Sequence, residues 1–500
     1  MITGYFLIPL LRLFIRLFRI NVNLSISAVV ITQRQTLSED GHQTTESLVN
    51  FKRRFTWRET QNMAPKLERF VSPGKGNGLR ATAGIRRGEL VLSAEPLACC
   101  VSNKVSRDVC HHCFTRRETL LRCSQCKMAR YCNVTCQKQA WSGHKRECKC
   151  LQSILPRIPT DSVRLTARLI FALLNPSKGS SEELYTLEEH ESNLSSMSEQ
   201  KKQGLSQLAS MLELYVQQEA PNLAQEMTSA LPPSCRDPLS LIAKVTCNCF
   251  TISDGELQET GVGLYPSLSL LNHDCRPNCV MVFEGTKLQL RAVRDINPAE
   301  ELTISYIETL SLTEDRQRQL EDQYHFTCHC QRCDSRDKDE LMLIGEETTW
   351  HQLKEGLPRM EGLKAELDWQ TLLQSCSHLL STVGRDVPDE NLYKLRMTDM
   401  ALDASIHLGH WEEALRYGEK TLPVYRQYYP EPHPVHGVQL MRVGKLQHYL
   451  EHVPEALDTF KQAYEIIKLT HGDDHPLTTD LLMKMEECHC ELRQRSSSSH

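Results

Sequence analysis

The stretch Leu270–Val280, "LLNHDCRPNCV", decides how this chain is read. Leu268 precedes it and "MVF" follows it, so its surroundings have the character of a buried strand. Asn272, His273, Cys275 and Asn278 do not fit that character. Buried polar groups cost free energy unless something bonds to them. Whatever engages these four must come from elsewhere in the sequence.

Working outward, the 500 residues suggest roughly three domains. A hydrophobic content of 40% with 24% charged residues describes a globular chain able to bury sizeable cores. A net charge of −5 argues against a protein that coats nucleic acid along its whole length. Cysteine is the unusual residue: there are 21, ten of them between Cys99 and Cys150 and three between Cys328 and Cys333. CxxC pairs among His and Lys read as metal sites in a reducing compartment, cytosol or nucleus, rather than as a disulfide framework. The N-terminal run "YFLIPLLRLFIRLFRI" is interrupted by Arg12, Arg16 and Arg19, which argues against a membrane span. A transit-like peptide is one reading of it. The preferred reading is an atypical extension over residues 1–62, disordered or wrongly assigned, with Met63 opening "MAPKLERF".

Residues 66–100 alternate like strands, with Gly84 and Gly88 as turns. Residues 160–230 read as helices, 240–306 as helix followed by short strands, and 340–490 as helical throughout. The last region repeats: Glu412-Glu413-Ala414-Leu415 returns as Pro454-Glu455-Ala456-Leu457, and His433-Pro434 as His475-Pro476, both at an offset of 42. Each unit is expected to be helix, turn, helix, with the proline near the close of the second helix. The period is longer than the ~34 residues of a tetratricopeptide repeat, but the paired helices fit that class. A chance helical bundle is the alternative.

Between Cys110 and Cys148 lie four ligand pairs: Cys110/Cys113, Cys123/Cys126, Cys132/Cys136 and His144/Cys148. Eight ligands make two tetrahedral zinc sites with no open position, hence structural ones. Adjacent pairs are too close to fold back simply, so interleaving is expected. Cys110, Cys113, Cys132 and Cys136 would hold one ion, and Cys123, Cys126, His144 and Cys148 the other. Residues 104–149 carry 11 Lys and Arg against 3 Asp and Glu, a formal +8. Thiolate-bound zinc lowers this to about +5, still a positive patch that suits an acidic protein face or weak nucleic-acid contact. A merely solvated face is the plain alternative. "GKGNGLRA", Gly74–Ala81, nearly spells a dinucleotide-binding fingerprint. "TAGIRRGELVL" follows it, which is turn and strand rather than the helix that fingerprint requires.

The cysteine cluster, with Tyr131 before Cys132 and Trp141 before His144, resembles a MYND finger. "NHDCRPNC", then "AEELTISYIET" at Ala299–Thr309, then "CHCQRC" at Cys328–Cys333, together resemble the SET domain of protein-lysine methyltransferases. A SET domain split by a MYND finger is the organisation of the SMYD family. Ala299 departs from that family's usual glycine, and Asp274 and Arg276 from its commoner serine and aspartate. The resemblance implies an α+β chain. A SET β-fold with a pseudoknot is split by the MYND finger and followed by an all-α, tetratricopeptide-like domain. The parts are expected at 66–109 (first SET part), 110–148 (finger), 149–245 (helical insertion), 246–310 (SET core), 311–336 (post-SET zinc segment) and 340–495 (helical domain).

It also implies the chemistry. S-adenosylmethionine would be the methyl donor, and Tyr306 and Tyr324 the catalytic residues at the lysine channel. Lys75, Gly76, Asn77, Tyr185, Asn193, Asn248, Ser269, Asn272, His273, Tyr306 and Phe326 would bind the cofactor. Cys275 would join Cys328, Cys330 and Cys333 around a third structural zinc. In-line methyl transfer needs a neutral lysine amine and a dry channel, not a metal. Channel width near Tyr306, Tyr324 and Phe250 would set how many methyl groups are added. Histone tails and non-histone proteins are the implied substrates, with a heat-shock chaperone of the ninety-kilodalton class as a further partner. A monomer in cytoplasm and nucleus, with no membrane association, is expected. The alternative is an adaptor that recruits partners through finger and repeats around an idle SET core.

Overall fold

The computed structural model describes residues 66–174, 184–217, 219, 225, 228, 231–429 and 432–497. The extension expected over 1–62 lies outside the described residues. β1 (Leu67–Ser72) and β2 (Gly76–Ala81) form an antiparallel hairpin. "GKGNGLRA" is thus turn and strand, and it opens no helix. β3 (Leu90–Ala94) and β4 (Ala98–Val101) follow, and the finger adds the short β5 (Leu121–Arg122) and β6 (Arg130–Tyr131).

Helices come next. α1 (Val134–Ile154) starts where the Asn133 side chain accepts the Cys136 backbone N–H at 2.9 Å. α2 (Asp161–Leu174) and α3 (Glu199–Gln217) lead to α4 (Pro238–Asn248), which has Asp237 as its cap and proline at its first position. The finger is locked to the strands by Arg164 of α2, which is 1% exposed. Arg164 donates to Glu147 of α1 at 3.1 Å, to the Val101 carbonyl at 2.8 Å and to Asn103 at 3.0 Å.

The later strands are β7 (Cys249–Ser253), β8 (Glu259–Leu264), β9 (Asn272–His273), β10 (Cys279–Glu284), β11 (Lys287–Ala292) and β12 (Thr303–Ile304). They build small sheets in the orders β4-β8-β7 and β10-β11-β3. Leu79, Ile85, Leu268, Leu270, Leu271 and Leu290 fill the core between them. β9 and β12 pair in parallel, Thr303 opposite Asn272 and Ile304 opposite His273. A parallel pair needs a crossover, supplied here by the β10–β11 hairpin and the loop after it. The β9 segment thereby lies beside β12, at the place where the chain is expected to form its pseudoknot.

α5 (Thr313–Tyr324) ends on the left-handed His325, and the post-SET cysteines follow. The remainder is helical: α6 (Glu347–Ala365), α7 (Trp369–Thr382), α8 (Leu392–Leu408), α9 (Trp411–Tyr428), α10 (Pro434–Tyr449), α11 (Val453–Thr470) and α12 (Pro476–Ser497). α9 and α11 begin 42 residues apart, and so do α10 and α12, so the sequence period is a real helix-pair period. Its prolines, however, open the second helix of each pair instead of closing it. Pro434 and Pro476 occupy the first turn, where a missing N–H costs nothing. Gly444 lets α10 and α11 approach closely, since a Cβ there would stand 2.6 Å from the Phe460 ring.

The helical domain rests against the strands at one edge. Arg291 of β11 donates to the His471 carbonyl at 3.0 Å, and the His475 ring bonds the Phe283 carbonyl of β10 at 3.2 Å. Lys445 meets Glu256 at 2.8 Å. Among the described residues no helix is long and apolar enough to cross a membrane.

Candidate active site and zinc centres

Three clusters of thiols gather as the sequence divided them: Cys110, Cys113, Cys132 and Cys136; Cys123, Cys126, His144 and Cys148; Cys275, Cys328, Cys330 and Cys333. Within each, the ligand atoms lie within 4.8 Å of one another. Nearest pairs are 3.6 Å (Cys113–Cys132), 3.7 Å (Cys123–Cys148), 3.6 Å (Cys126 Sγ–His144 Nε2) and 3.5 Å (Cys275–Cys333). A tetrahedral ion with bonds of ~2.3 Å to sulfur spaces its ligands by about 3.8 Å. Donor set and spacing therefore fit structural zinc in all three.

Their surroundings add charge balance. His144 presents Nε2 to the second cluster and Nδ1 to Glu147 at 3.6 Å, a carboxylate–histidine pair of the kind that orients metal ligands. Glu147 is 1% exposed. Burial alone would raise its pKa, but Arg164 and Arg168 hold it well below the usual carboxylate range. At the third cluster, a four-thiolate zinc carries −2, and the buried Arg316 and Arg332 lie beside it. Arg316 points Nη2 at Cys333 Sγ, 3.7 Å away.

The polar residues of the opening stretch now have partners. Asn272 donates through Nδ2 to the Asn77 carbonyl at 3.1 Å and to Glu301 at 2.8 Å. Asn278, 2% exposed, donates to the Glu301 carbonyl at 2.8 Å and accepts the Thr303 N–H at 2.8 Å. His273 accepts the Tyr306 backbone N–H on Nδ1 at 3.0 Å, and its Nε2 lies 3.3 Å from Cys275 Sγ. Both ring nitrogens are therefore engaged within the fold. Asp274 and Arg276, two of the three residues that depart from the family pattern, are engaged within the fold as well. Asp274 accepts the Arg276 N–H at 2.7 Å, and Arg276 pairs with Asp337 at 2.7 Å.

Tyr306 donates its hydroxyl to the Leu271 carbonyl at 2.5 Å. Its ring centroid lies 4.8 Å from Tyr324, 5.3 Å from His273 and 6.3 Å from Phe326. Burial, and after it Tyr324 and Glu301, push the Tyr306 phenol far up; burial pushes that of Tyr324 up to about 12. Both phenols are neutral at ordinary pH.

Of the other expected cofactor residues, Lys75 closes the β1–β2 turn, and Gly76 and Asn77 open β2, with the Asn77 carbonyl bonded by Asn272. Lys75 stands 3.7 Å from Glu301. Gly76 has φ +77°, a conformation that glycine supplies freely. Tyr185 donates to the Glu189 carbonyl at 2.6 Å. Asn248 donates to the Glu191 carbonyl at 2.9 Å, and Ser269 bonds the Asn248 carbonyl at 3.4 Å. Asn193 sits left-handed at φ +53° close to Cys247. Phe326 joins the Tyr306 cluster from the post-SET side. The sequence reading missed Glu301, which bridges Lys75 and Asn272, and also Glu147 and Arg316. The acidic pair in "AEEL" was the one available signal for Glu301.

A model of the SET domain family matches residues 76–307. Human histone-lysine N-methyltransferase SMYD3 is 46% identical over 428 residues, covering 86% of this chain and 99% of that protein. The mouse protein of the same name is 46% identical over 430 residues, with the same shares. Human N-lysine methyltransferase SMYD2 is 33% identical over 434 residues, covering 84% of this chain and 98% of that protein. With a SET core interrupted by a segment that holds two Cys/His clusters and followed by helix pairs, and with full-length relatives at that identity, the chain belongs to the SMYD family of SET- and MYND-domain proteins.

Proposed function

We propose that this chain is a protein-lysine methyltransferase that uses S-adenosylmethionine and acts on histone tails and non-histone proteins. One observation carries the reading. The Tyr306–Tyr324–Phe326 ring cluster and the polar face of Asn77, Asn272 and Glu301 meet at the β9–β12 crossing, pinned there by the third thiol cluster. The polar face fits a zwitterionic ligand, since Lys75 and Glu301 set opposite charges 3.7 Å apart on it. The bound cofactor supplies an electrophilic methyl group on a sulfonium. Asn77, Asn272, Tyr185, Asn193, Asn248, Ser269 and the backbone of Gly76 and His273 are the groups that would hold it, with Phe326 packing against it.

The residues do the rest by position. Tyr306 and Tyr324 wall a narrow aromatic channel that disfavours the ammonium form of an entering lysine. Neither phenol is a base at neutral pH, and the His273 ring is engaged, so the amine proton leaves to water. The Tyr306 hydroxyl, its proton held by the Leu271 carbonyl, accepts an N–H of the amine and so turns the lone pair toward the methyl group. Channel width at Tyr306, Tyr324 and Phe250 sets the number of methyl groups. Finer parts belong to the same reading. The domain limits 66–109, 110–148, 149–245, 246–310, 311–336 and 340–495 are kept. A histone substrate supports work in the nucleus, and non-histone substrates in the cytoplasm. The helix pairs support contact with a ninety-kilodalton-class chaperone, the basic finger supports weak nucleic-acid contact, and the chain acts as a monomer.

Labelled methyl transfer to core histones tests the proposal. The wild type transfers label, and Tyr306→Phe loses about a hundredfold in rate while still binding cofactor. A wild type that binds cofactor and transfers nothing would overturn the proposal in favour of an adaptor.

A further inference from the structure

Residues Leu184–Asn193 form a strap that brings Tyr185 beside Asn77 of the polar face described above and ends at Asn193, close to Cys247. One side of the strap is tied to α4 and the turn before β9. Lys244 donates to the Glu188 carbonyl at 2.5 Å, Asn248 to the Glu191 carbonyl at 2.9 Å, and the Leu184 N–H to Ser267 at 3.1 Å. The other side meets the β1–β2 hairpin at Arg69, and Tyr185 also reaches the Asn77 side chain. Arg69 of β1 bonds Glu189 of the strap at 2.5 Å, 120 residues away in sequence. Its Nε donates to Asn77 Oδ1 at 3.2 Å, and its guanidinium lies over the Tyr185 ring, 5.1 Å from the centroid. Glu189 in turn accepts the Thr186 N–H at 2.9 Å, and His190 stacks on Tyr185 at 4.6 Å. Arg69 thus touches the strap's acid, its aromatic ring and the β2 asparagine at once.

We propose that Arg69 is a positioning residue that clasps the Leu184–Asn193 strap to the β1–β2 hairpin and thereby sets how long the cofactor stays bound. This rests on the reading of that face as the S-adenosylmethionine site. Arg69 touches no reacting atom; it holds Tyr185 and Asn77 in register. The planar, forked guanidinium bonds and stacks at the same time, which a lysine cannot do equally well. The clasp therefore acts on cofactor dissociation and leaves the chemical step alone.

The test uses the full chain and S-adenosylhomocysteine as probe. Dissociation is followed by surface plasmon resonance in wild type, Arg69→Met, Glu189→Gln and the double swap Arg69→Glu with Glu189→Arg. Each single variant speeds dissociation about tenfold, and the swap, which remakes the ion pair but neither the Asn77 bond nor the contact with the Tyr185 ring, recovers part of that loss. kcat at saturating cofactor stays within about twofold, so the loss falls on cofactor KM. Without cofactor, amide exchange across Tyr185–Asn193 rises in the single variants and falls again in the swap. Dissociation unchanged in Arg69→Met overturns the proposal whatever the exchange shows, and so does a swap that restores nothing. A wild type that binds no S-adenosylhomocysteine overturns the cofactor reading itself, an outcome distinct from normal binding that ignores Arg69.

Discussion

Ala299 stands where relatives of this fold carry glycine, and the structure shows the reason for the glycine. The residue sits at φ +67°, in the left-handed region, and its N–H donates to the Ala81 carbonyl at 2.8 Å. An L-residue pays about 1–2 kcal/mol there, of which glycine's larger unfolded-state entropy returns part. Ala299→Gly should therefore stabilise the chain by about 0.5–1 kcal/mol in denaturant unfolding, seen as a higher midpoint at unchanged slope. An unchanged or lower midpoint would mean that the turn carries no strain. At this scale the sequence was most readable where chemistry allows few residue types. Thiols at x2 and x3 spacing are the plainest signal in the finger, and the twelve residues read as ligands fall into three clusters that could hold a metal ion. It was least readable where one residue serves two partners. Nothing in "AEEL" says that Glu301 reaches both Lys75 and Asn272, because that depends on a crossing between chain pieces far apart.

Helices show a similar division. Apolar periodicity marked 160–230, the start of 240–306 and 340–490 as helical, and the 42-residue offset identified the paired helices; α1, inside the finger, and α5 were not read as helices, and the prolines open their helices where the sequence reading had them close. Period is set by packing that recurs along the chain, whereas a proline's place depends on which turn lacks a hydrogen bond. Two predictions belong to single helices. In α1, Glu147→Gln removes the charge that orients His144 and balances Arg164 and Arg168. Competition with a chromogenic chelator should show the finger's zinc held about 10–100-fold less tightly; equal retention would make Glu147 a bystander. In α8, Asp399 accepts the Tyr425 hydroxyl at 2.8 Å, and burial pushes its pKa up to about 7. The unfolded chain gives up that proton near ~3.9, so this group's stability is fully present below that pH. It is lost as pH rises through about 7. Asp399→Asn should thus stabilise the protein at pH 8 by on the order of 1–2 kcal/mol, and by nothing near pH 4. The full linkage value is discounted because Asp399 is partly open to water. A pH-independent difference between the two proteins would contradict this assignment.

Across the whole molecule, the site exists because distant pieces are pinned together. β2 supplies Asn77, β9 supplies Asn272, the segment after β12 supplies Tyr306, and α5 with the loop after it supplies Tyr324 and Phe326. The third thiol cluster joins the β9 segment, through Cys275, to the chain after α5. Arg316 and Arg332 make its charge tolerable inside the protein. The motif set made this arrangement legible as a family pattern, but the arginines behind it were not, since buried guanidinium groups look in sequence like any surface charge. Zinc counted by elemental analysis, alongside methyl transfer by the same preparation, tests the pinning most directly. The account predicts three ions per wild-type chain, one for each cluster. It predicts two for Cys330→Ser, with methyl transfer lost as the post-SET segment comes away from Tyr306. Fewer than three ions in the wild type, or full transfer by a two-zinc Cys330→Ser protein, would contradict it.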